Sequence, residues 1–419
     1  MTPQSVLAQP LTLACGVVLK NRLVKSAMSE ALALKAGRAS PELARLYEVW
    51  AQGGIGLCIT GNVMIDHRAL GEPGNVVIED ESGLPQLQQW AKAATANNTH
   101  CWVQLNHPGK QAPKGLNKET VAPSAVPFRP EMKAFFGTPR EMTDAEVRDA
   151  IARFGVAAGV VKKAGFTGVQ IHGAHGYLVS QFLSPHHNQR QDEWGGSAEK
   201  RRRFVLAVLA AMRAAVGPDF PIGIKLNSAD FQRGGFTEEE SLDTIKALSE
   251  AGIDLIEISG GTYEAPAMTG VKAGAVKDST RQREAYFQVF AEKARKAVPT
   301  PLVLTGGFRT LQGMAAAVEV GAVDLVGLAR SLAIEPDVPK RLLTGHDPIY
   351  QVKPLKTGIS AIDKMGIMEI TWYTGQLQRI GRGRLPKPNE LALWVFLKFA
   401  FKQARAGRKN KTPTKLRAS

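Results

Sequence analysis

Residues 144–172 read DAEVRDAIARFGVAAGVVKKAGFTGVQIH, an amphipathic stretch that leads directly into a short apolar run. The spacing of the apolar residues predicts a helix over Asp144–Ala164, and Gly168–His172 has the length and composition of a buried strand. A helix that is followed at once by a buried strand is the repeating unit of parallel sheets. This stretch therefore predicts an α/β fold.

The same alternation continues on both sides of this unit and gives eight candidate strands in all. We predict strands at Leu23–Met28, Ile55–Gly61, Cys101–Asn106, Gly168–His172, Ile222–Asn227, Leu255–Ser259, Pro301–Thr305 and Leu325–Leu328. We predict helices between them at Glu42–Gln52, Leu84–Asn97, Asp144–Ala164, Ala198–Val216, Glu238–Ala251, Glu284–Ala297 and Leu311–Val320. Eight parallel strands close most economically into a (β/α)8 TIM barrel. The alternative is a doubly wound open sheet, but the G-x-G-x-x-G turn expected after its first strand is absent.

Polar residues gather at the ends of the predicted strands. In a barrel, side chains alternate between the lumen and the helix layer, and active sites lie at the carboxyl ends of the strands. The residues found at those ends are Gln104, Asn106, His172, Lys225, Gly306, Gly307, Ala329 and Arg330. We therefore expect the functional site at this face.

Composition is that of a folded chain with a sizeable core. The 419 residues suit one barrel with an additional segment, and 44% hydrophobic and 22% charged residues are ordinary values. Three cysteines without a C-x-x-C pair argue against a disulfide framework and against a cysteine-built metal or iron–sulfur site. No signal peptide or membrane span is predicted, so a cytoplasmic location is expected.

The excess of positive charge is concentrated at the carboxyl end of the chain. From Thr371 to Ser419, twelve Lys and Arg residues stand against the single acid Glu390, which accounts for 11 of the 15 net charges. We predict a barrel over residues 1–348 and a basic extension over residues 349–419, with an amphipathic helix at about 390–405.

Three interpretations of this extension remain open. It could be a solvated tail, it could lie against anionic lipid, or it could dock on the barrel or on a neighbouring subunit of a homo-oligomer. The residues that would meet lipid are Trp394, Phe396, Leu397 and Phe401. No nucleic-acid reading motif accompanies the charge, so we predict no specific nucleic-acid partner.

The motif H-G-A-H-G-Y at residues 172–177 places two imidazoles and one phenol close together. His172 and His175 could both donate to one carbonyl oxygen, polarise an α,β-unsaturated bond and stabilise the enolate that forms. Tyr177 could supply a proton, because a phenol with a pKa of about 10 is protonated at neutral pH. A zinc pair and a purely structural role are the alternatives. No third ligand stands at a recognisable spacing, so no metal site is predicted.

Lys225 lies in P-I-G-I-K-L-N between Ile224 and Leu226, so strand alternation directs its ammonium into the lumen. A lysine there needs an anionic partner. A Schiff-base lysine and a plain salt bridge are both possible roles for it.

The segments T-G-G-F-R and G-L-A-R, at residues 305–309 and 327–330, suggest a phosphate site. Glycine amides can approach an anion closely, and an arginine adds a two-pronged donor at the usual barrel phosphate position. A sugar-phosphate site remains the alternative for this pattern.

The string H-x-x-H-G-Y-L-x-x-x-F-L-S-P, which begins at His172, resembles the old yellow enzyme family of NAD(P)H:flavin oxidoreductases. The likeness extends over about residues 5 to 345. It includes KNRLVKSAMSE at residues 20–30, VQLNHPGK at residues 103–110 and VGLARSL at residues 326–332.

The resemblance implies an FMN-dependent enzyme in which NADH or NADPH reduces the flavin and then leaves before an acceptor is reduced in a ping-pong cycle. The acceptor would carry an activated C=C bond, as in an α,β-unsaturated carbonyl compound. His172 and His175 would bind its oxygen, and Tyr177 would donate the proton. The acceptor pocket is expected from the loops Pro108–Arg140 and Gly260–Thr280.

The resemblance also implies a set of cofactor-binding residues. Lys225 takes a place usually held by arginine and would face the flavin N1/C2 edge, and Gln104 would meet the pyrimidine ring, although a core amide bond is the alternative for it. Ser29 stands where relatives carry cysteine or threonine, and Ala27 replaces a common proline. The residues expected along the isoalloxazine are Ala27, Met28, Ser29 and Gly61, and those expected at the phosphate are Gly306, Gly307, Ala329 and Arg330.

Two other functions stay open at this point. One is a dienoyl-CoA reductase-like or amine-demethylating flavoprotein of the same barrel family, although the longer members carry a cysteine-rich cluster that this sequence lacks. The other is a non-catalytic membrane-surface protein with a degenerate barrel, against which the complete set His172, His175 and Tyr177 argues.

Overall fold

A computed structural model describes residues 1–261, 287–347, 355–359, 363 and 368–398. Its centre is a closed barrel of eight parallel strands, which confirms the predicted TIM barrel. The strands are β1 (Leu23–Lys25), β2 (Leu57–Ile59), β3 (His100–Asn106), β4 (Gly168–Gly173), β5 (Ile222–Asn227), β6 (Leu255–Ser259), β7 (Leu302–Thr305) and β8 (Leu325–Leu328). Each strand pairs with its neighbour in the chain, and β8 pairs with β1 to close the barrel.

Helices follow the strands and cover the outside of the barrel. They are α1 (Pro41–Gln52), α2 (Leu84–Ala94), α3 (Asp144–Lys163), α4 (Ala198–Val216), α5 (Glu238–Glu250), α6 (Gln288–Ala297), α7 (Leu311–Glu319) and α8 (Val338–Leu343). Helix α3 begins at a capping box in which the Thr143 side chain and the Glu146 side chain each accept from the other's backbone amide. Helix α2 ends before the predicted Asn97 because Asn97 and Asn98 take positive φ angles of 55° and 52°. Residues 284–286 of the predicted sixth helix lie outside the described residues.

The lower lumen is filled rather than open. Trp102 is fully buried there, among apolar side chains of β1, β2, β6, β7 and β8. Gly168 and Gly223 leave room for its ring, since a Cβ atom at Gly168 would lie 2.5 Å from Trp102 Nε1. Polar groups are thereby confined to the upper lumen, at the carboxyl ends of the strands.

Short elements cap the two ends of the barrel. The helix Pro3–Leu7 and the antiparallel pair Leu11–Thr12 and Val18–Leu19 lie at the amino-terminal end, where Leu13 and Leu19 join the lumen cluster. At the opposite end the chain adds the short strands Val63–Met64 and Val76–Val77 and the helix Leu178–Leu183.

The described part of the extension packs on the barrel. Helix α9 (Met368–Gly381) buries Trp372 and Leu377, and Thr374 Oγ1 donates to the Ser29 carbonyl at 2.8 Å. Residues 392–398 are helical, within the amphipathic helix predicted at about 390–405. Phe401 and the rest of that helix lie outside the described residues. Nowhere in the described ranges is a helix both long and apolar enough to cross a membrane.

Candidate active site

The rings of His172, His175 and Tyr177 lie together at the end of β4. The ring centroids are 5.2 Å apart for the two histidines and 4.7 Å apart for His172 and Tyr177. The chain achieves this by a turn in which His175 and Gly176 take positive φ angles of 62° and 78°. Such a backbone is uncommon for histidine and needs support from its surroundings. Asn227 Oδ1 provides that support by accepting from the His175 amide at 3.2 Å.

Both imidazoles are neutral at pH 7. Burial lowers the pKa of His172 well below its usual value, and the charges of His175 and Lys225 act in the same direction. Burial and Lys225 lower the pKa of His175 to about 3. The Ala174 amide donates to His172 Nδ1 at 3.4 Å, so the ring proton of His172 resides on Nε2. His172 is therefore a hydrogen-bond donor without charge.

Besides Asn227, two further side chains outside the predicted set position this cluster. Ser259 Oγ lies 2.7 Å from His175 Nε2. Asn62 Nδ2 donates to the Tyr177 hydroxyl oxygen at 3.3 Å, and Asn75 Nδ2 donates to the Asn62 carbonyl at 3.3 Å. Asn62 and Ser259 stand at the carboxyl ends of β2 and β6, where barrel sites are found. That position was the signal in the sequence that could have identified them.

Below the rings, a network of hydrogen bonds crosses the upper lumen. Gln104 Nε2 donates to Gln170 Oε1 at 2.7 Å, and Gln170 Nε2 donates to Glu257 Oε2 at 2.8 Å. Lys225 Nζ lies 3.1 Å from Glu257 Oε1, which also accepts from Thr305 Oγ1 at 2.7 Å. The structure thus places Gln104 and Lys225 in the lumen and supplies the anionic partner that the lysine requires.

Glu257 was missed from the sequence although its signal was present. It lies between Ile256 and Ile258 in L-I-E-I-S, the same alternation that directs Lys225 inward. The side chain is 1% exposed. Burial alone would raise its pKa, but Lys225, Thr305 and Gln170 outweigh burial and hold the pKa below its usual value. Glu257 is therefore ionised at neutral pH.

The residues expected along the isoalloxazine differ in their surroundings. Ala27 packs against the lumen cluster and Met28 against the cluster of the helix layer. The Ser29 hydroxyl donates to Glu72, whose pKa burial raises to about 6. A side chain at Gly61 would collide with the Met28 carbonyl, so only glycine fits there.

A second buried ion pair supports the end of β1 from the helix side. Lys25 is fully buried, with its Nζ 3.6 Å from Glu30 Oε1 and 2.7 Å from the Ile59 carbonyl. Glu30 Oε1 also accepts from Tyr47 at 2.5 Å and from the Gly61 amide at 3.0 Å. This pair joins β1, β2 and α1, and we assign it a structural role.

The glycines and arginine expected at a phosphate lie on neighbouring strand ends. Gly306 and Gly307 have φ angles of 104° and 94°, which most other residues avoid. Ala329 and Arg330 lead into a short turn of 3-10 helix after β8. Arg330 Nη1 lies 2.6 Å from Glu369 Oε2 of α9, so the extension reaches this part of the site.

The lumen has the features that a flavin requires. Both polar atoms of the Asn106 amide are buried and have no hydrogen-bond partner within the described ranges. Buried amides are normally satisfied, so a ligand group is expected beside it. Gln104 and Lys225 would meet a polar ring edge, and the glycines after β7 would meet a phosphate. The residues present therefore fit FMN.

An apolar cleft of about 610 Å³ has Phe231 on its wall. Phe231 is 47% exposed with a φ angle of 53°, an unusual backbone for a bulky side chain. It lies against Gly260, the neighbour of Ser259. The lining residues are Val126, Pro127, Phe128, Arg129, His186, Phe231, Gln232 and Arg233. Part of the predicted Pro108–Arg140 loop thus lines the cleft, while residues 262–280 of the other predicted loop lie outside the described residues.

Ligand side chains that lie close enough together to hold a metal ion are found at one other place in the described residues, which does not include His172 or His175. Over the described ranges, the one group of side chains that could hold a metal ion is Asp66, His67 and Glu79, away from the ring cluster in sequence. Arg68 already binds Asp66 at 2.7 Å.

Comparison with known proteins identifies the family. Residues 6–347 match the sequence profile of the NADH:flavin oxidoreductase / NADH oxidase family. The chain belongs to this family. Membership confirms the resemblance to old yellow enzyme, the prediction of an oxidoreductase, and FMN with a nicotinamide cofactor as its redox partners.

Fungal relatives and solved structures agree with the family assignment. The NADH-dependent flavin oxidoreductase iliE of Hypocrea jecorina (strain QM6a) is 37% identical over 360 residues, covering 81% of this chain and 89% of the relative. The NADH-dependent flavin oxidoreductase iccE of Talaromyces variabilis is 35% identical over 407 residues, covering 90% of this chain and 98% of the relative. The old yellow enzyme homologue from Zymomonas mobilis superposes with a TM-score of 0.71 at 25% identity, over 83% of this chain and 94% of that one.

Proposed function

We propose that this family member is an NADH-dependent ene-reductase, which reduces the activated C=C bond of an α,β-unsaturated carbonyl compound or a related electron-poor acceptor. The observation that carries the proposal is the cluster of His172, His175 and Tyr177 over a lumen that fits FMN. Gln104 and Lys225 would hold the ring edge of FMN, which would supply the hydride carrier between NADH and the acceptor. NADH is chosen over NADPH because the fungal relatives are named NADH-dependent.

The histidines would bind the carbonyl oxygen of the acceptor. Negative charge develops on that oxygen as hydride reaches the β-carbon, and donors already in place stabilise it. His172 presents an Nε2 proton, and the hydrogen bond between His175 Nε2 and Ser259 Oγ fixes the orientation of the second ring. Because both rings are neutral, they assist the reaction as dipoles and give up no proton.

Tyr177 would complete the reduction by protonating the α-carbon. Its oxygen accepts from Asn62, so this contact does not use the hydroxyl proton. The apolar cleft with Phe231 on its wall would hold the body of the acceptor. The nicotinamide ring would occupy the same place before the acceptor arrives, which gives the ping-pong order.

Isotope labelling tests this function. The purified enzyme with FMN is incubated without oxygen with 2-cyclohexenone and NADH deuterated at the transferred position, and the product is examined by NMR. We expect deuterium at the β-carbon, and solvent deuterium at the α-carbon when the reaction is run in D₂O. An unchanged enone, with NADH oxidised only after oxygen is admitted, would instead indicate an NADH oxidase.

We further propose that the end of the extension contacts anionic membrane surfaces. Leu391, Leu393, Trp394 and Leu397 are exposed, and the surrounding segment is strongly basic. Apolar side chains flanked by Lys and Arg favour binding at such a surface. We expect the double variant Trp394→Ser/Leu397→Ser to bind phosphatidylglycerol vesicles more weakly than the parent chain, with turnover unchanged. Equal vesicle binding by both proteins would contradict this proposal.

A further inference from the structure

Glu257 is a buried charge that the proposed reaction does not use. It pairs in register with Lys225 on the neighbouring strand, and both side chains point into the lumen. Its Oε1 accepts from Lys225 and Thr305, and its Oε2 accepts from Gln170. Each of these three contacts joins the carboxylate to another side chain of the lumen.

Through these bonds Glu257 reaches both groups assigned to the flavin ring edge. It contacts Lys225 directly and holds Gln104 through Gln170, which bonds to both Glu257 and Gln104. A carboxylate 3.1 Å from an ammonium cancels much of the field that the ammonium presents to a third group. In a buried site, solvent and salt screen the fields of these charges only weakly, so the effect of the carboxylate extends to neighbouring groups.

We propose that Glu257 is a positioning residue that sets the reduction potential of the flavin by compensating the charge of Lys225. An uncompensated cation at the flavin edge would favour the reduced ring, which carries more negative charge, and would make hydride harder to release. Glu257 opposes this effect, so it lowers the potential and makes the reduced flavin a stronger hydride donor. This inference rests on the proposed placement of the flavin edge beside Lys225 and Gln104.

The test is the midpoint potential of bound FMN in the Glu257→Gln variant, measured at pH 6.5 by anaerobic dye equilibration. Glutamine keeps the shape of the side chain and removes only its charge. We expect a positive shift that corresponds to about a tenfold gain in the affinity for reduced over oxidised FMN, or ~30 mV for a two-electron couple. Without the ammonium, burial should leave Glu257 protonated, so the shift should disappear when Glu257→Gln is made in a Lys225→Met background.

A matched control removes another buried carboxylate from the same part of the chain. Asp254 precedes β6 at the other end of the barrel, and its Oδ2 lies 2.6 Å from Arg213. Asp254→Asn should leave the flavin potential unchanged, since this carboxylate does not face the upper lumen. If Glu257 had a purely structural role, Glu257→Gln would lower the stability of the protein but would leave the midpoint potential of the flavin unchanged.

The outcomes separate this inference from the proposed function. An unchanged potential in Glu257→Gln, or an equal shift in the Lys225→Met background, would overturn the role of Glu257 even if the enzyme reduces enones. If Glu257→Gln does not fold, Glu257→Asp should give a smaller shift in the same direction, and no shift would overturn the inference. Failure of the parent enzyme to reduce enones, with the potential shift intact, would contradict only the function.

Discussion

At the scale of single residues, the site depends on groups whose charge is suppressed. His175 has a strained backbone. Its pKa is about 3, because burial and Lys225 both disfavour the protonated form of its ring. A group whose pKa falls on folding stabilises the folded state less as the pH drops below its unfolded value, which is near 6.5 for histidine. Protonation at low pH therefore favours the unfolded chain.

The first prediction concerns this pH dependence. Asparagine tolerates a positive φ angle, so His175→Asn should fold and should remove the titrating ring. Between pH 7 and pH 5, the free energy of unfolding of the parent protein should fall by about 1 to 2 kcal/mol more than that of the variant, a range that allows for partial exposure of the ring. Urea unfolding at the two pH values measures the difference. Equal losses in the two proteins would mean that the ring titrates normally.

The second prediction concerns the proton donor. Tyr177→Phe keeps the ring beside His172 and removes only the hydroxyl group. The oxidative half-reaction with 2-cyclohexenone should slow by about 10²- to 10⁴-fold, the usual contribution of a positioned acid, while flavin reduction by NADH is spared. Stopped-flow absorbance measures the two half-reactions separately. An equal loss in both would argue that Tyr177 supports the site without donating a proton.

At the scale of strands and helices, alternation predicted much of the site. The apolar neighbours of Gln104 and Lys225 were sufficient to direct both side chains inward, and the described strands agree with the predicted ones within a few residues. Strand β1 was predicted too long at its carboxyl end, and β2 was predicted too long at both ends. Contacts between distant segments, such as Thr374 with Ser29, carry no local pattern and could not be predicted.

The third prediction tests the packing of the filled lumen. Gly168→Val would place its side chain against Trp102, which is fully buried and cannot move aside. We expect a loss of stability of at least about 1 to 3 kcal/mol from overpacking. Gly375→Ala is the matched control, since nothing lies within 4 Å of its Cβ position in α9. It should be neutral or stabilising by about 0.5 to 1 kcal/mol. Urea unfolding measures the stability of both variants. Similar changes in the free energy of unfolding of the two variants would contradict the prediction of a tightly packed lumen.

At the scale of the whole molecule, the extension is part of the enzyme's architecture. Docking on the barrel was one of the three interpretations left open for the extension, and α9 lies on the barrel, where it bonds to residues at the end of β1 and after β8. The similarity to the Talaromyces relative covers 90% of the chain, or about 377 of 419 residues. The match to the family profile covers only 342 residues. At least some of the extension is therefore shared with that protein.

The fourth prediction compares two tryptophans of the extension. Trp372 is fully buried and its Nε1 donates to the Glu390 carbonyl at 2.8 Å, whereas Trp394 is 60% exposed. Trp372→Ala should cost about 3 to 5 kcal/mol and weaken FMN retention, because α9 holds the Ser29 backbone. Trp394→Ala should change stability by no more than about 0.5 kcal/mol. Urea unfolding and FMN release by fluorescence measure both, and equal stabilities would show that α9 does not support the barrel.

The most direct test of the proposed ene-reductase is a single anaerobic mixing experiment. The flavin of the intact enzyme is reduced with one equivalent of NADH and then mixed with 2-cyclohexenone while its absorbance is recorded. The oxidised flavin spectrum should return with the enone alone, at a rate that rises with the enone concentration. A flavin that stays reduced until oxygen is admitted would contradict the proposed ene-reductase function.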